Sequence, residues 1–270
     1  MIGDCAGGSR AFSIIHEDEN LVAVNKSPGI AVGGDRWDRE APRLDTLLEA
    51  FLAEHSGGSS ADTGRLFTVH RIDKDTSGLV VFAKNAKTHK TVSALFETRK
   101  AEKTYTAVIY GRPHWPGNIT ECAESLFVNT AKHLTIIDNC RGKASLTRFQ
   151  LLLSSGNYSV VEARPATGRT HQIRVHLASL GCPIVCDPVY GRHSRSNGRA
   201  NGGMEGVYLS SFKRNWRGDS AEERPLLARL GLHALRLELP LPNSERLCLE
   251  APLSKDMAVL VKQMTKAAKI

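Results

Sequence analysis

The chain is poor in the features that mark membrane, secreted and nucleotide-driven proteins. No apolar stretch comes near the roughly 20 residues that cross a bilayer; the longest continuous ones are pieces such as residues 79–83. Residues 1–10 lack the basic start and apolar centre of a signal peptide. The 6 cysteines, at positions 5, 122, 140, 182, 186 and 248, are too sparse for a disulfide framework in a chain of 270 residues. Together these absences predict a reduced, cytoplasmic protein with no membrane partner. Catalytic signatures are missing too: there is no G-x-x-x-x-G-K-[ST], no G-x-G-x-x-G after a strand, no G-x-S-x-G and no H-E-x-x-H. Nucleotide cofactors and the common hydrolase chemistries lose their usual support. Cys182 and Cys186, with His171 and His176 nearby, could offer metal ligands. Their spacing matches no familiar zinc pattern, however, and small buried thiols are the plainer reading. No metal is expected.

What the chain does have is positive charge, unevenly placed. Lys and Arg number 36 against 28 Asp and Glu, a net +8 that suits a polyanionic partner. Residues 1–60 are acidic, whereas 65–105, 191–230 and the last sixteen residues carry the excess of Lys and Arg. A nucleic acid would meet the middle and later parts of the chain. For any one of these residues a solvated surface charge remains the bland reading.

Hydrophobic pattern supplies the elements. Residues 20–25 read as a strand ended by Ser27-Pro28-Gly29, a turn in which Pro presets φ and Gly accepts φ > 0. Leu44, Leu47, Leu48, Phe51 and Leu52 recur at helical spacing, and residues 57–64 form a polar loop. Residues 79–83 predict a buried strand, 88–98 a helix with Val92, Leu95 and Phe96 inward, and 104–110 another strand. Residues 145–153 and 158–163 predict an antiparallel hairpin. Thr170 is placed as N-cap of a short helix carrying Ile173, Leu177 and Leu180 and stopped by Gly181. Residues 191–203 read as a flexible insertion, 232–239 and 246–250 as strands. A last helix has Met257, Leu260, Val261 and Met264 in step. There is no internal repeat. Strands and helices without regular βαβ alternation predict an α+β fold with a largely antiparallel sheet.

Three segments carry polar side chains densely enough for chemistry. His70-Arg71-Ile72-Asp73-Lys74-Asp75-Thr76-Ser77-Gly78-Leu79 sets carboxylates, cations and hydroxyls immediately before a buried strand, where they cost desolvation unless paired or used. An ornate turn, with Asp75 and Ser77 bonding local backbone, is the alternative. Arg164-Pro165-Ala166-Thr167-Gly168-Arg169-Thr170-His171-Gln172-Ile173-Arg174-Val175-His176 gathers donors around a helix start and suits phosphate or a carboxylate. With Ile173 and Leu177 inward, Arg174 is expected to one side, able to reach out of the helix. In Glu102-Lys103-Thr104-Tyr105-Thr106-Ala107, Tyr105 shares a strand face with Ala107 and Ile109; it reads as core, or as a ring for stacking on a base.

Taken together these segments resemble the RluA-like family of RNA pseudouridine synthases. The family pattern H-R-[LI]-D-x-x-T-S-G-L is complete at residues 70–79 and G-R-T-H-Q-I-R-x-H at 168–176, continued by Gly181-Cys182-Pro183-Ile184. Asn25-Lys26-Ser27-Pro28-Gly29 is similar to the early N-K-P-x-G motif, with Ser27 where proline is usual, and Lys103-Thr104-Tyr105 matches K-x-Y. The resemblance runs over about 14–190 and resumes over 232–252. Cys186 departs from it, standing where the family usually has Gly before Asp187-x-x-Tyr190.

The resemblance implies a pseudouridine synthase fold: a mixed, mainly antiparallel central sheet flanked by helices and loops, with a cleft across it. One catalytic domain over 1–270 is expected, its core at about 12–190 and 231–254. A basic insertion-like segment lies at 191–230, and too little chain precedes Phe12 for a separate N-terminal RNA-binding domain. The implied reaction turns uridine in structured ribosomal or transfer RNA into pseudouridine, by a monomer with no cofactor. By resemblance Asp73 is the essential carboxylate. Attack on the sugar, addition to the base and removal of a ribose proton are all open to it, and each needs it ionised. Arg174 would pair with Asp73, and Tyr105 would stack on the uracil and assist loss of the C5 proton. Arg71 would fill the gap left by the extruded nucleotide. His70, Thr76, Lys84, Lys103, Arg169, His171 and Gln172 complete the implied substrate- and RNA-binding set. A non-catalytic RNA-binding protein on the same scaffold is the chief alternative, a metal-dependent nuclease or deaminase a more distant one.

Overall fold

The computed structural model describes residues 2–4, 10–34, 42–55, 65–132, 134–191, 206–212, 218, 222–241 and 246–268. The loop expected at 57–64 and the insertion expected at 191–203 lie outside these, apart from Gly191. In chain order the elements are β1 (Ile2–Asp4), β2 (Arg10–Glu17), β3 (Leu21–Lys26), α1 (Leu44–His55), β4 (Phe67–Thr68), β5 (Ser77–Ala83), α2 (Ala86–Glu97), β6 (Glu102–Tyr110), β7 (Ile119–Cys122), β8 (Leu126–Asn129) and β9 (Leu134–Ile137). There follow β10 (Thr147–Ser155), β11 (Tyr158–Pro165), α3 (Gln172–Ser179), β12 (Leu232–Pro240), β13 (Arg246–Glu250) and α4 (Lys255–Ala268). The architecture is α+β with mostly antiparallel strand pairing, as the mixed pattern predicts. No helix among the described residues is long and apolar enough to cross a membrane.

The chain divides into two compact units. One comprises Met1–Lys103 and His233–Pro252, the other Thr104–Leu232 and Leu253–Ile270.

In the first unit the strands run β1-β2-β3-β5-β12, with β4 beside β5 and β13 beside β12. Among the described strands of this unit only β5 and β12 pair in parallel, through His233 opposite Ser77 and Ala234 opposite Gly78. Every residue of β5 is buried, which explains why residues 79–83 show no alternation. Gly78 has φ +112°, and a Cβ there would collide with the Ala234 backbone, so the parallel pairing requires glycine. Helix α1 buries Leu44, Leu48 and Phe51. Helix α2 opens on Asn85, whose side chain accepts from the Thr88 N–H at 2.9 Å, and buries only Val92; Leu95 and Phe96 are half-buried.

The second unit carries four antiparallel strands in the order β6-β11-β10-β7, with a separate β8–β9 hairpin. The expected hairpin of β10 and β11 forms, turning at Gly156-Asn157 with φ +59° at Gly156. Phe149, Val161, Ala107, Ile109, Ile173 and Leu177 share one core cluster. Met257, Leu260 and Met264 of α4 join another, with Val108 and Val185. Helix α3 departs from its expected form. Its N-cap is His171, in the left-handed region at φ 54°, rather than Thr170, which is exposed.

Candidate active site

In the first unit everything converges on the turn that carries Asp73. The Thr76 N–H donates to the Asp73 carbonyl at 3.1 Å, closing a tight turn directly before β5. The next carbonyl, that of Lys74, accepts twice: from the Lys26 ammonium at 2.9 Å and from the Gly29 N–H at 2.8 Å. Lys26 is 1% exposed and also donates to the Ser27 carbonyl at 2.8 Å. A buried ammonium is costly unless hydrogen-bonded, and here the bonds it needs are the ones that hold the turn. The Asn25–Gly29 motif is thus a cradle for the Asp73 motif, a role the sequence did not assign to Lys26. Pro28 and Gly29, at φ +84°, make the bend that aims the Gly29 N–H.

The far side of the turn is locked by Ser77. Its hydroxyl lies 2.9 Å from Nδ1 of fully buried His233, whose Nε2 is 3.2 Å from the Ala251 carbonyl. A carbonyl only accepts, so Nε2 carries a proton. Asp73 itself is half-buried and Arg71 exposed, while Ile72 between them is anchored in the core at 6% exposure. Thr76 is buried, and its Oγ1 has no hydrogen-bond partner among the described residues.

His70, expected among the RNA-binding residues, has an internal task. Its ring stacks on Phe96 at 4.7 Å, and Nε2 accepts from the Val81 N–H at 3.0 Å. Burial, reinforced by the Lys103 charge, pushes its pKa down to about 3, so the ring stays neutral. Burial likewise lowers Lys103 to about 8. Lys84 does not join this group. It follows β5, whose seven residues span about 23 Å from the end at which Asp73 sits. Its ammonium is held by Glu17 at 3.0 Å and the Asp18 carbonyl at 2.9 Å.

In the second unit α3 is buried on every side from Gln172 to Ala178, so Arg174 reaches out of the helix into the protein interior rather than into solvent. It is 3% exposed and forks onto Asp187, Nε to Oδ2 and Nη2 to Oδ1, both at 2.8 Å. Asp187 Oδ1 also accepts from the Val189 and Tyr190 N–H groups at 2.9 and 3.0 Å. Burial alone would raise the Asp187 pKa. The bonds and charge of Arg174, with the two backbone donors, outweigh it and hold the carboxyl below its ordinary value. The guanidinium lies 5.1 Å from the Tyr190 ring, and the Tyr190 hydroxyl meets His171 Nδ1 at 2.9 Å. Asp187 and Tyr190 were legible only as a D-x-x-Y pattern with no task attached.

Gln172 has no polar capacity left for RNA. Its Oε1 accepts from the Thr167 hydroxyl at 2.7 Å and the Arg169 N–H at 3.0 Å; its Nε2 donates to the Leu146 carbonyl and Thr147 hydroxyl. It ties the loop before α3 to the start of β10. Burial lowers the His176 pKa, and Ser145 and Thr147 bracket its ring at 3.0 Å each. Arg169 is half-buried, its Nε 3.3 Å from the Ala144 carbonyl. Tyr105 is half-buried on β6, opposite Ala163 of β11, and packs against the Ala107–Ile109 cluster. Cys182 is a buried core thiol whose pKa is raised by burial. Cys186 has φ 54°, which gives the family's usual glycine there a physical reason.

The chain matches the family model described as RNA pseudouridylate synthase over residues 20–179. It belongs to that family. Among similar proteins, the ribosomal large subunit pseudouridine synthase D of Zymomonas mobilis is 37% identical over 189 residues, covering 69% of this chain and 58% of the relative. The ribosomal large subunit pseudouridine synthase C of Rickettsia felis is 37% identical over 180 residues, covering 66% of this chain and 55% of its own. The chain thus spans a little over half the length of these relatives. Among solved structures, human RNA pseudouridylate synthase domain containing 4 superposes with a TM-score of 0.70 at 25% identity, covering 94% of this chain and 93% of that one. Its fold, mixed and mostly antiparallel with flanking helices, is the pseudouridine synthase fold.

Proposed function

We propose that this chain is an RNA pseudouridine synthase that isomerises uridine in structured RNA, with Asp73 as its essential carboxylate. The observation that carries the reading is the construction of the Asp73 turn. Lys26, Gly29, Ser77 and His233 are all committed to holding it, which is far more support than a surface turn needs. Held in this way, the carboxylate meets a bound uridine without first being ordered. The N1–C1′ bond breaks, the freed uracil turns, and C5 bonds to C1′. The C5 proton leaves and N1 gains one, so no atom is added or lost and no cofactor is required. Tyr105 offers its ring to the uracil and a hydroxyl near the departing proton, and Arg174 works with Asp73. Arg71, exposed two residues before Asp73, takes the place of the extruded nucleotide. The names of the relatives favour large-subunit ribosomal RNA as the substrate, met in the cytoplasm by a monomer.

The test is a map of pseudouridines in total RNA from cells with and without this gene. It is joined to tritium release by the purified protein from a [5-³H]uridine transcript of large-subunit ribosomal RNA. Loss of one or more ribosomal sites and tritium release in vitro are expected. A missing site in transfer RNA would move the substrate while keeping the reaction. Unchanged maps and no release would leave the non-catalytic RNA-binding reading in its place.

A further inference from the structure

The first unit holds a cavity of about 570 Å³ whose wall shares Arg71 with the proposed reaction site. That volume is in the range of about 300–1,000 Å³ typical of small-ligand sites. Arg43, Arg65, Arg71, Glu49, Phe67 and His89 contribute to its wall. Arg43 is already matched, its guanidinium forked onto Asp45 at 3.0 and 2.6 Å, so that pair contributes little net charge. Glu49 has one oxygen on the Leu66 N–H at 2.8 Å. Arg65 and Arg71 are both exposed, and neither has an ion pair or hydrogen bond among the described residues. The open charge of the cavity is therefore cationic. A flat surface accompanies it, because the rings of Phe67 and His89 stack at 5.3 Å with 29° between their planes.

Two unmatched guanidiniums beside stacked rings are the complement of a nucleotide: an anion with a planar, apolar base. Arg71 also fixes where that nucleotide belongs. It lies two residues from Asp73, so their Cα atoms are at most about 7 Å apart, roughly one step of an RNA backbone. We propose that this cavity takes one nucleotide of the RNA strand flanking the reacting uridine. Its phosphate lies against Arg65 and its base against the Phe67–His89 pair, with Arg71 between this nucleotide and the gap of the extruded one. The inference rests on the synthase reading for the identity of the strand. It adds a second point of grip outside the target nucleotide's own site, supplied by residues that belong to none of the recognised motifs except Arg71.

The probe is a transcript of large-subunit ribosomal RNA, bound to the full chain at several salt concentrations between 50 and 200 mM. The variants are Arg65→Ala, Arg65→Lys and His89→Ala, with Lys262→Ala as a charge-matched control on the exposed face of α4. Arg65→Ala is expected to weaken binding about tenfold and to reduce the salt slope by about one. Arg65→Lys restores the slope, and His89→Ala weakens binding severalfold with the slope unchanged. Lys262→Ala behaves as wild type. Pseudouridine formation at subsaturating enzyme falls for Arg65→Ala by the same factor as its affinity. Affinity and slope of Arg65→Ala indistinguishable from those of Lys262→Ala would overturn the proposal. A wild-type protein that binds the transcript but forms no pseudouridine overturns the synthase reading instead, and the slopes still decide whether the cavity holds RNA.

Discussion

The two motif segments look alike in sequence, each crowding cations, hydroxyls and histidines into a dozen residues, yet they are built on opposite principles. The turn bearing Asp73 is gripped through its backbone: the carbonyls of Asp73 and Lys74 take bonds from Thr76, Lys26 and Gly29. The start of α3 is gripped through its side chains. Gln172, His176 and Arg174 are buried and bonded to neighbours within their unit. A turn held by main chain tolerates a changed side chain without losing shape. A helix held by buried polar side chains does not. Substitutions in the first segment should therefore cost activity, and those in the second should cost stability before anything else.

The largest expected effect tests the first half of that contrast. Asp73→Asn should lower single-turnover pseudouridine formation at least about a thousandfold, roughly 4 kcal/mol of activation free energy, while the melting temperature stays close to wild type. A destabilised but active Asp73→Asn would break the comparison. Next comes Asp187→Ala, which takes the two-bond carboxylate fork away from buried Arg174. About 3–5 kcal/mol of unfolding free energy should be lost in urea titrations.

The pH dependence of stability should come third. The native pKa of His70 is about 3, depressed from its ordinary value, so the folded ring stays neutral while the unfolded one titrates near 6.5. A depressed native pKa means stability that is complete above the unfolded value and lost as pH falls through that window. The slope should approach about 1.4 kcal/mol per pH unit. His70→Gln keeps an acceptor for the Val81 N–H but cannot titrate, and should flatten urea-derived stability between pH 6 and 4. Asp187, also depressed, adds a further loss below the ordinary carboxylate range.

Arg174→Lys sharpens the second half, because lysine keeps the charge and loses the fork. A loss of about 1–3 kcal/mol of stability is expected from one forfeited charge-assisted bond, accompanied by a severe fall in activity. Unimpaired turnover would detach Arg174 from the reaction. The smallest effect belongs to Lys84→Ala, which removes only a partly exposed pair with Glu17. Stability should change by less than about 1 kcal/mol and the rate by less than twofold, in keeping with its place beyond the far end of β5.

Local pattern carried the fold well where burial is simple. The β10–β11 hairpin and the all-apolar β5 follow from turn chemistry and an unbroken apolar run, and α4 from its Met257, Leu260, Met264 spacing. At α3 it found the helix and its stop at Gly181 but missed the cap, because His171 rather than Thr170 takes the left-handed position. Arg174 was legible as important, but its fork onto Asp187, thirteen residues on in a turn, was not. Lys26 and His233 were invisible for the same reason. Each acts on the Asp73 turn through bonds that span 48 and 156 residues, and no short-range pattern encodes such a pairing. His70, Lys84 and Gln172 show the converse: their polar groups bond to other parts of the protein, which the motif pattern does not reveal.

The 156-residue span between Ser77 and His233 also sets a clock. At about 5–20 residues per second during synthesis, on the order of 10 s or more separates the two partners' emergence. Until His233 arrives, β5 lacks its parallel neighbour β12 and the turn before it lacks its lock on that side. A nascent chain that already displays Arg71 and Asp73 to a translating ribosome, itself made of RNA, is therefore still without a finished site. Competence comes with the last quarter of the protein.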